Sequence, residues 1–293
     1  MNLALTVLEI VAPVFILGAI GFAWVRLGQE YRIEFVTRLA MTLGVPALIF
    51  TALMNTEIDP GALTAISLAA VAGYAALTVT FFLIARLAKL DIRTFLAPLI
   101  FGNTGNLGLP LALFAFGETG LGYAVVVFAV MAILSFTFGI WLVSGGGNPV
   151  GVLKEPMVLA TLLGALFLVM GWKTPTFLTN ALELVGQLAI PLMLITLGVA
   201  VARLRPSGLV RATILSALKI AVSVALGLLL GYAFGLEPTA FAVLVVQLAT
   251  PVAVTSYLLA VKYGADAEPV AGLVVVSTLL SVVALPAILA LFV

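Results

Sequence analysis

With 293 residues, 64% of them hydrophobic and only 9% charged, the chain carries too little charge for a water-facing surface, where soluble domains have about 25%. A formal net charge of +1 without a basic cluster leaves no footprint for nucleic acid. With no cysteine and no histidine, disulfides, thiol chemistry, the usual zinc sites and histidine acid–base catalysis are excluded.

A mean hydropathy of +1.32 makes lipid the expected solvent. A membrane-crossing helix needs about 20 mostly apolar residues. Ten segments qualify: 3–25, 33–54, 62–85, 94–117, 120–143, 156–172, 180–202, 209–234, 239–261 and 270–292. The first could be taken for a signal peptide, but it lacks a positive start and holds Glu9 within its apolar run, so it is predicted as span 1. Glu9 is the one acid well inside a span, and intramembrane acids are functional by default. It is a candidate coupling residue, with simple hydration near the interface as the competing reading. Glu183 is expected at the interface, and Arg38 and Lys219 are expected to snorkel to it. Trp24, Trp141 and Trp172 fall at span ends, as interfacial aromatic residues do.

Lysine and arginine sit almost entirely on one side. Twelve of the 13 flank the odd-numbered loops or lie near that side, and only Lys173 belongs to an even-numbered loop. Odd loops are therefore predicted to be cytoplasmic and both termini to face outward.

The longest loop, SGGGNPVGVLKEP, divides the chain into five spans and five spans, residues 1–145 and 150–293. Aligning Pro46 of span 2 with Pro191 of span 7 also pairs Leu43 with Leu188 and Thr51 with Thr196. Span 4 contains NTGNLGLP and span 9 contains QLATP; aligning Pro110 with Pro251 sets Asn106 opposite Gln247. An odd number of spans per half inverts the second half, the inverted-topology repeat of many secondary transporters. Glycines 102, 105 and 108 and then Pro110 weaken span 4 near the midplane, and span 9 is expected to break between Gln247 and Pro251. Such backbone is tolerated at that depth only inside protein or beside a wet cavity. The breaks are therefore predicted to meet, with Asn106 and Gln247 satisfying freed backbone groups. Pro110 and Pro251 suit the first position of the following half-helices, whose positive dipole ends point at the meeting point. No acid lies in either break, so the site is predicted to favour an anion.

The runs FGNTGNLGLPLALFAFGETG, VPALIF and QLATPVAVTSYLLA resemble the auxin efflux carrier family, which includes the plant PIN and PIN-like carriers and bacterial malonate-type transporters. The resemblance covers essentially the whole chain, which departs from the plant PIN carriers in its very short central loop. It implies an all-α integral membrane fold shared with bile acid sodium symporters and some sodium/proton antiporters. Spans 1, 2, 6 and 7 would form a scaffold, and spans 3–5 and 8–10 a transport domain that moves as an elevator. It also implies that Asn103, Asn106 and Pro110, with Gln247 and Pro251, line an anion site in a bacterial inner membrane; Thr104 and Thr250, within the same two breaks, complete the predicted site.

The resulting expectation is a secondary transporter of a small organic anion, a carboxylate, and not an enzyme. Alternatives are a cation/proton antiporter or sodium-coupled symporter on the same scaffold, or a membrane sensor or channel. The expected partners are the anion, the bilayer and, through the scaffold helices, a second copy of the chain. No cofactor, metal or nucleic acid is expected.

Overall fold

The computed structural model of the chain describes residues 3–55, 58–145, 156–204 and 208–292, so the central loop with Lys154, and Arg205, lie outside the described residues. Within them the chain is helical throughout, without a strand. In order, α1 is Leu3–Arg26, and α2 (Ile33–Leu39) passes through a π turn, Ala40–Gly44, into α3 (Val45–Asn55). Then come α4 (Pro60–Leu87), α5 (Ile92–Ile100), α6 (Leu109–Leu134) and α7 (Ile140–Ser144). The second half holds α8 (Pro156–Met170), α9 (Thr176–Gln187), α10 (Ala189–Arg203) and α11 (Leu209–Ala233). It ends with α12 (Pro238–Leu248), α13 (Val254–Tyr263) and α14 (Ala267–Leu289).

Local chemistry sets several of these ends. Asp59 caps α4 by accepting from the Ala62 N–H at 3.1 Å, and Pro60 supplies a first residue that needs no donor. Asp91 caps α5 by accepting from the Thr94 N–H at 2.9 Å. At the other pole, Arg93 donates to the Val143 carbonyl at 3.1 Å and the Tyr263 carbonyl at 3.2 Å. One guanidinium thus binds the C-terminal turns of α7 and α13, where the helix dipoles favour a cation.

Six helical stretches among the described residues are long and apolar enough to cross a membrane: Ile33–Asn55, Gly61–Leu87, Thr104–Ser144, Thr176–Arg203, Leu209–Ala233 and Ala267–Leu289. Thr104–Ser144, at 41 residues, turns at Gly117, whose φ of 64° and ψ of −157° are not helical. That turn falls between predicted spans 4 and 5. Shorter apolar helices, Ala12–Arg26, Leu159–Met170 and Pro238–Leu248, lie in predicted spans 1, 6 and 9. Aliphatic residues such as Val79, Leu83, Ile214 and Val283 are exposed along these helices, a surface suited to hydrocarbon rather than water. The three tryptophans are exposed too.

Glycine sets how closely the helices pack. A Cβ on Gly21 would overlap the Ile195 carbonyl, and one on Gly198 the Gly18 carbonyl, so α1 and α10 touch backbone to backbone. On the other flank Gly164 of α8 packs against Leu53 and Phe50 of α3, and at the centre Gly44 lies against Ala189 and Gly186 against Leu48. A second set of approaches joins α4, α5, α6, α11 and α12: Gly73 on Leu248, Gly105 on Phe128, Gly139 on Phe101 and Gly227 on Val245. Each of these contacts stays inside one of two groups, α1–α3 with α8–α10, or α4–α7 with α11–α14. The groups meet where α1, α3 and α10 pack on α6 and the π turn before it.

This predicts an asymmetric pair of alanine variants. Gly198→Ala must push α1 off α10 and is expected to cost about 1–3 kcal/mol, as overpacking does. Gly18→Ala, whose Cβ has nothing within 4 Å, should leave the melting temperature unchanged. Equal melting temperatures for the two purified variants would contradict the backbone contact.

Candidate functional site

α5 ends at Ile100, residues 101–103 leave the helix, and a π turn at Thr104–Gly108 leads into α6. α12 ends at Leu248 and α13 starts at Val254, leaving residues 249–253 between them. The two stretches meet in a single antiparallel bridge, Gly102 with Val252. There the Asn103 N–H donates to the Pro251 carbonyl at 2.7 Å. The Val252 N–H turns to α14 and donates to Ser277 Oγ at 3.0 Å, while Thr250 Oγ1 donates to the Gln247 carbonyl at 2.7 Å. The predicted meeting of the breaks is therefore present, at Gly102 and Val252, eight residues before Pro110 and one after Pro251.

Neither proline opens its half-helix. Pro110 is the second residue of α6, behind a full π turn, and Pro251 lies in the extended stretch three residues ahead of α13, offering its carbonyl as an acceptor. The division of labour differs as well. Freed backbone groups are taken up by backbone, Ser277 and Thr250, and not by the amides of Asn106 and Gln247. The Gln247 amide is buried with neither its oxygen nor its nitrogen hydrogen-bonded, and Asn103 Nδ2 and Thr104 Oγ1 are in the same condition. Buried polar atoms are nearly always paired, so four such atoms on adjoining segments need a reason.

Two glycines hold the segments this close. A Cβ on Gly102 would overlap Thr250 Oγ1 and stand 3.0 Å from the Thr250 carbonyl. A Cβ on Gly108 would overlap Gln247 Oε1 and stand 2.7 Å from the amide carbon.

Of the seven residues predicted for the site, Asn103, Thr104, Pro110, Gln247, Thr250 and Pro251 are buried, and Asn106 is half-buried. Glu9 is exposed on α1 and takes no part in the crossing. Lys219, expected at the interface, is instead 0% exposed, with no hydrogen-bond partner for Nζ. α11 turns it inward, on the face that also carries Ser216 and Ser223. The sequence reading also missed Ser277. Its signal was the hydroxyl run Ser277, Thr278 and Ser281 within an otherwise apolar helix.

A cleft of about 740 Å³ opens between α3, residues 113–121 of α6 and the α9–α10 pair, and no residue of the crossing lines it. Thr51, Asn55, Glu118, Thr119, Glu183 and Gln187 supply its polar lining, and Leu113, one turn beyond Pro110, its nearest approach along α6 to the predicted site residues. Asn55 Nδ2 donates to Glu183 Oε1 at 3.2 Å, and Lys173 Nζ donates to the Met54 carbonyl at 2.5 Å. The one basic residue of the even-numbered loops is thus used to cap α3. Among the described residues no group of three metal-ligating side chains occurs.

The model of a family described as membrane transport protein matches residues 6–152 and 147–289. An uncharacterized transporter of Methanothermobacter thermautotrophicus is 28% identical over 296 residues, covering 95% of this chain and 96% of its own. An uncharacterized transporter of Methanocaldococcus jannaschii is 27% identical over 193 residues, 61% of this chain and 62% of its own.

Gly108→Ala separates a packing role for Gln247 from a binding role. The added methyl meets the end of a flexible side chain, so the protein should fold with a melting temperature close to the parent. The displaced amide should weaken substrate binding by about tenfold, about 1.4 kcal/mol. Unchanged binding would remove Gln247 from the site.

Proposed function

This chain belongs to the membrane transport protein family, that of the auxin efflux carriers, and we propose that it is a secondary transporter that carries a small organic anion, a carboxylate, by alternating access. One observation carries this reading: Asn103, Thr104 and Gln247 hold buried, unpartnered polar atoms where two broken helices cross. Such atoms suit a polar ligand that arrives and leaves. The crossing contains no carboxylate, which cation exchange would need. The π turn that opens α6 and the first turn of α13 bring backbone N–H groups and positive dipole ends toward it.

The reading includes ten spans arranged as two inverted halves, and contacts 145 positions apart support it. Gly44 packs on Ala189, its own counterpart at that offset. α1 meets α10 at Ile195 and Gly198, and α8 meets α3 at Phe50 and Leu53, the same two positions 145 residues earlier. Thr51 donates to the Ala47 carbonyl, and Thr196 to the Leu192 carbonyl, again at that offset. One plan thus serves both halves.

The elevator reading rests on the two packing groups. Cross-chain hydrogen bonds follow the same division: Tyr31 with Thr196, Arg203 to Tyr31 and Asn55 to Glu183 on one side, Arg93 to Val143 and Asn103 to Pro251 on the other. The first group is the proposed scaffold, open to a second copy of the chain, and the second the moving domain. With the basic side taken as cytoplasmic, the cleft opens outward and both termini lie outside.

Two measurements test this. In proteoliposomes, Asn103→Ala and Gln247→Ala should each weaken carboxylate uptake, and the double variant should depart from additivity by about 0.5–3 kcal/mol. Strict additivity would mean that the two helices do not share a ligand. The chain has no cysteine, so single cysteines report sidedness directly. Thr119→Cys should react with an impermeant thiol reagent in intact cells and Gln29→Cys should not; the reverse pattern would invert the topology.

A further inference from the structure

Lys219 is the buried charge that the crossing leaves unexplained. Its side chain is fully enclosed, and Nζ touches no acceptor, although Ser216 and Ser223 sit one turn away on the same buried face of α11 with their own hydroxyls unpartnered. A lysine kept for structure would be expected to hydrogen-bond those hydroxyls; a methionine would fill the volume without the cost of burying an amine. The helices packed on α11 are α4, α5, α12 and α14. Their acids are confined to the starts: Asp59, Asp91, Glu237 and Asp266 precede the first turns, and Glu268 lies within one. Among the described residues Lys219 therefore has no counter-ion in the bundle.

Its depth is fixed by packing. Gly227 of α11 lies against Val245 of α12, and Gly231 against Phe241, so the two helices run antiparallel in step. Continuing that step sets Ser223 beside Ala249 and Lys219 a turn further, level with the extended stretch that bridges to Gly102. Packed helix axes lie about 8–10 Å apart. A carboxylate at the crossing would then be within about 10 Å of the ammonium, through protein rather than water.

We propose that Lys219 is the fixed counter-charge of the transported anion. Asn103, Thr104 and Gln247 give the carboxylate its hydrogen bonds, and Lys219, one helix behind, gives it the opposite charge. This rests on the anion reading above. At an effective dielectric of about 20, two unit charges about 10 Å apart attract enough to change affinity on the order of tenfold.

The test uses the full-length protein in detergent, with acetate, benzoate, malonate and succinate and their matched amides as probes. Affinities come from ligand-dependent melting shifts, since a ligand that binds only the folded state raises apparent stability. For a carboxylate that binds the parent, Lys219→Met should weaken it about tenfold or more, with little change for the amide, and Lys219→Arg should restore most of the loss. If Lys219→Met does not fold, Lys219→Gln takes its place with the same expectation. Parent-like carboxylate affinity in the neutral variant would overturn the counter-charge. So would an equal loss for carboxylate and amide, which marks a packing role. If the parent binds none of the carboxylates, the anion reading itself fails first.

Discussion

Backbone that leaves a helix inside hydrocarbon must find its hydrogen-bond partners in protein, and much else in this molecule follows from how that is done here. The Asn103 N–H reaches the Pro251 carbonyl, and the Val252 N–H reaches Ser277. This is a two-residue scrap of sheet, with a third helix supplying the acceptor that a further strand would have offered. The arrangement needs the two chains at strand distance. That in turn requires no side chain at Gly102, where Thr250 lies directly opposite. Because backbone, Ser277 and Thr250 satisfy backbone, Asn103 Nδ2 and the Gln247 amide are left unpartnered, which is what the proposed anion site requires.

The pattern of breakage was legible in the sequence because glycine and proline are punctuators whose effect is local. Three glycines and a proline in span 4, and a polar run before proline in span 9, announced that neither helix continues. The point of crossing was not legible. Proline marks where a donor is missing, but strand-like pairing is chosen by close approach. The small residue that allows it stands eight positions before Pro110, beside an extended valine with no signature of its own. Pro251 contributes its carbonyl, a role that no residue type advertises.

Lysine 219 shows the same limit for charge. On a sequence it counts among the basic residues near the inner side and reads as one more snorkelling chain. What turns it inward is the face of α11, whose small residues Ser216, Ser223, Gly227 and Gly231 repeat at helical spacing and draw the neighbouring helices close. A lysine in the middle of such a stripe cannot reach the interface. The stripe was available to be read, and it outweighs the residue type.

Glycine distribution also bears on motion. A bilayer gives helices no hydrophobic reason to associate, so close backbone approach and interhelical hydrogen bonds must hold them. Here the approaches at Gly21, Gly44, Gly164, Gly186 and Gly198 tie α1–α3 to α8–α10, those at Gly73, Gly102 and Gly108 tie α4–α6 to α12 and the stretch after it, and that at Gly227 ties α11 to α12. Welding each group to itself raises the cost of deforming either one. Side-chain contacts between the groups can slide at lower cost than backbone contacts can part. In the elevator reading proposed above, two such bodies, with a cleft of about 740 Å³ along the seam between them, would shift against one another rather than bend individual helices. The same welding keeps the crossing and Lys219 in one body, so the site's amides and its charge would travel together.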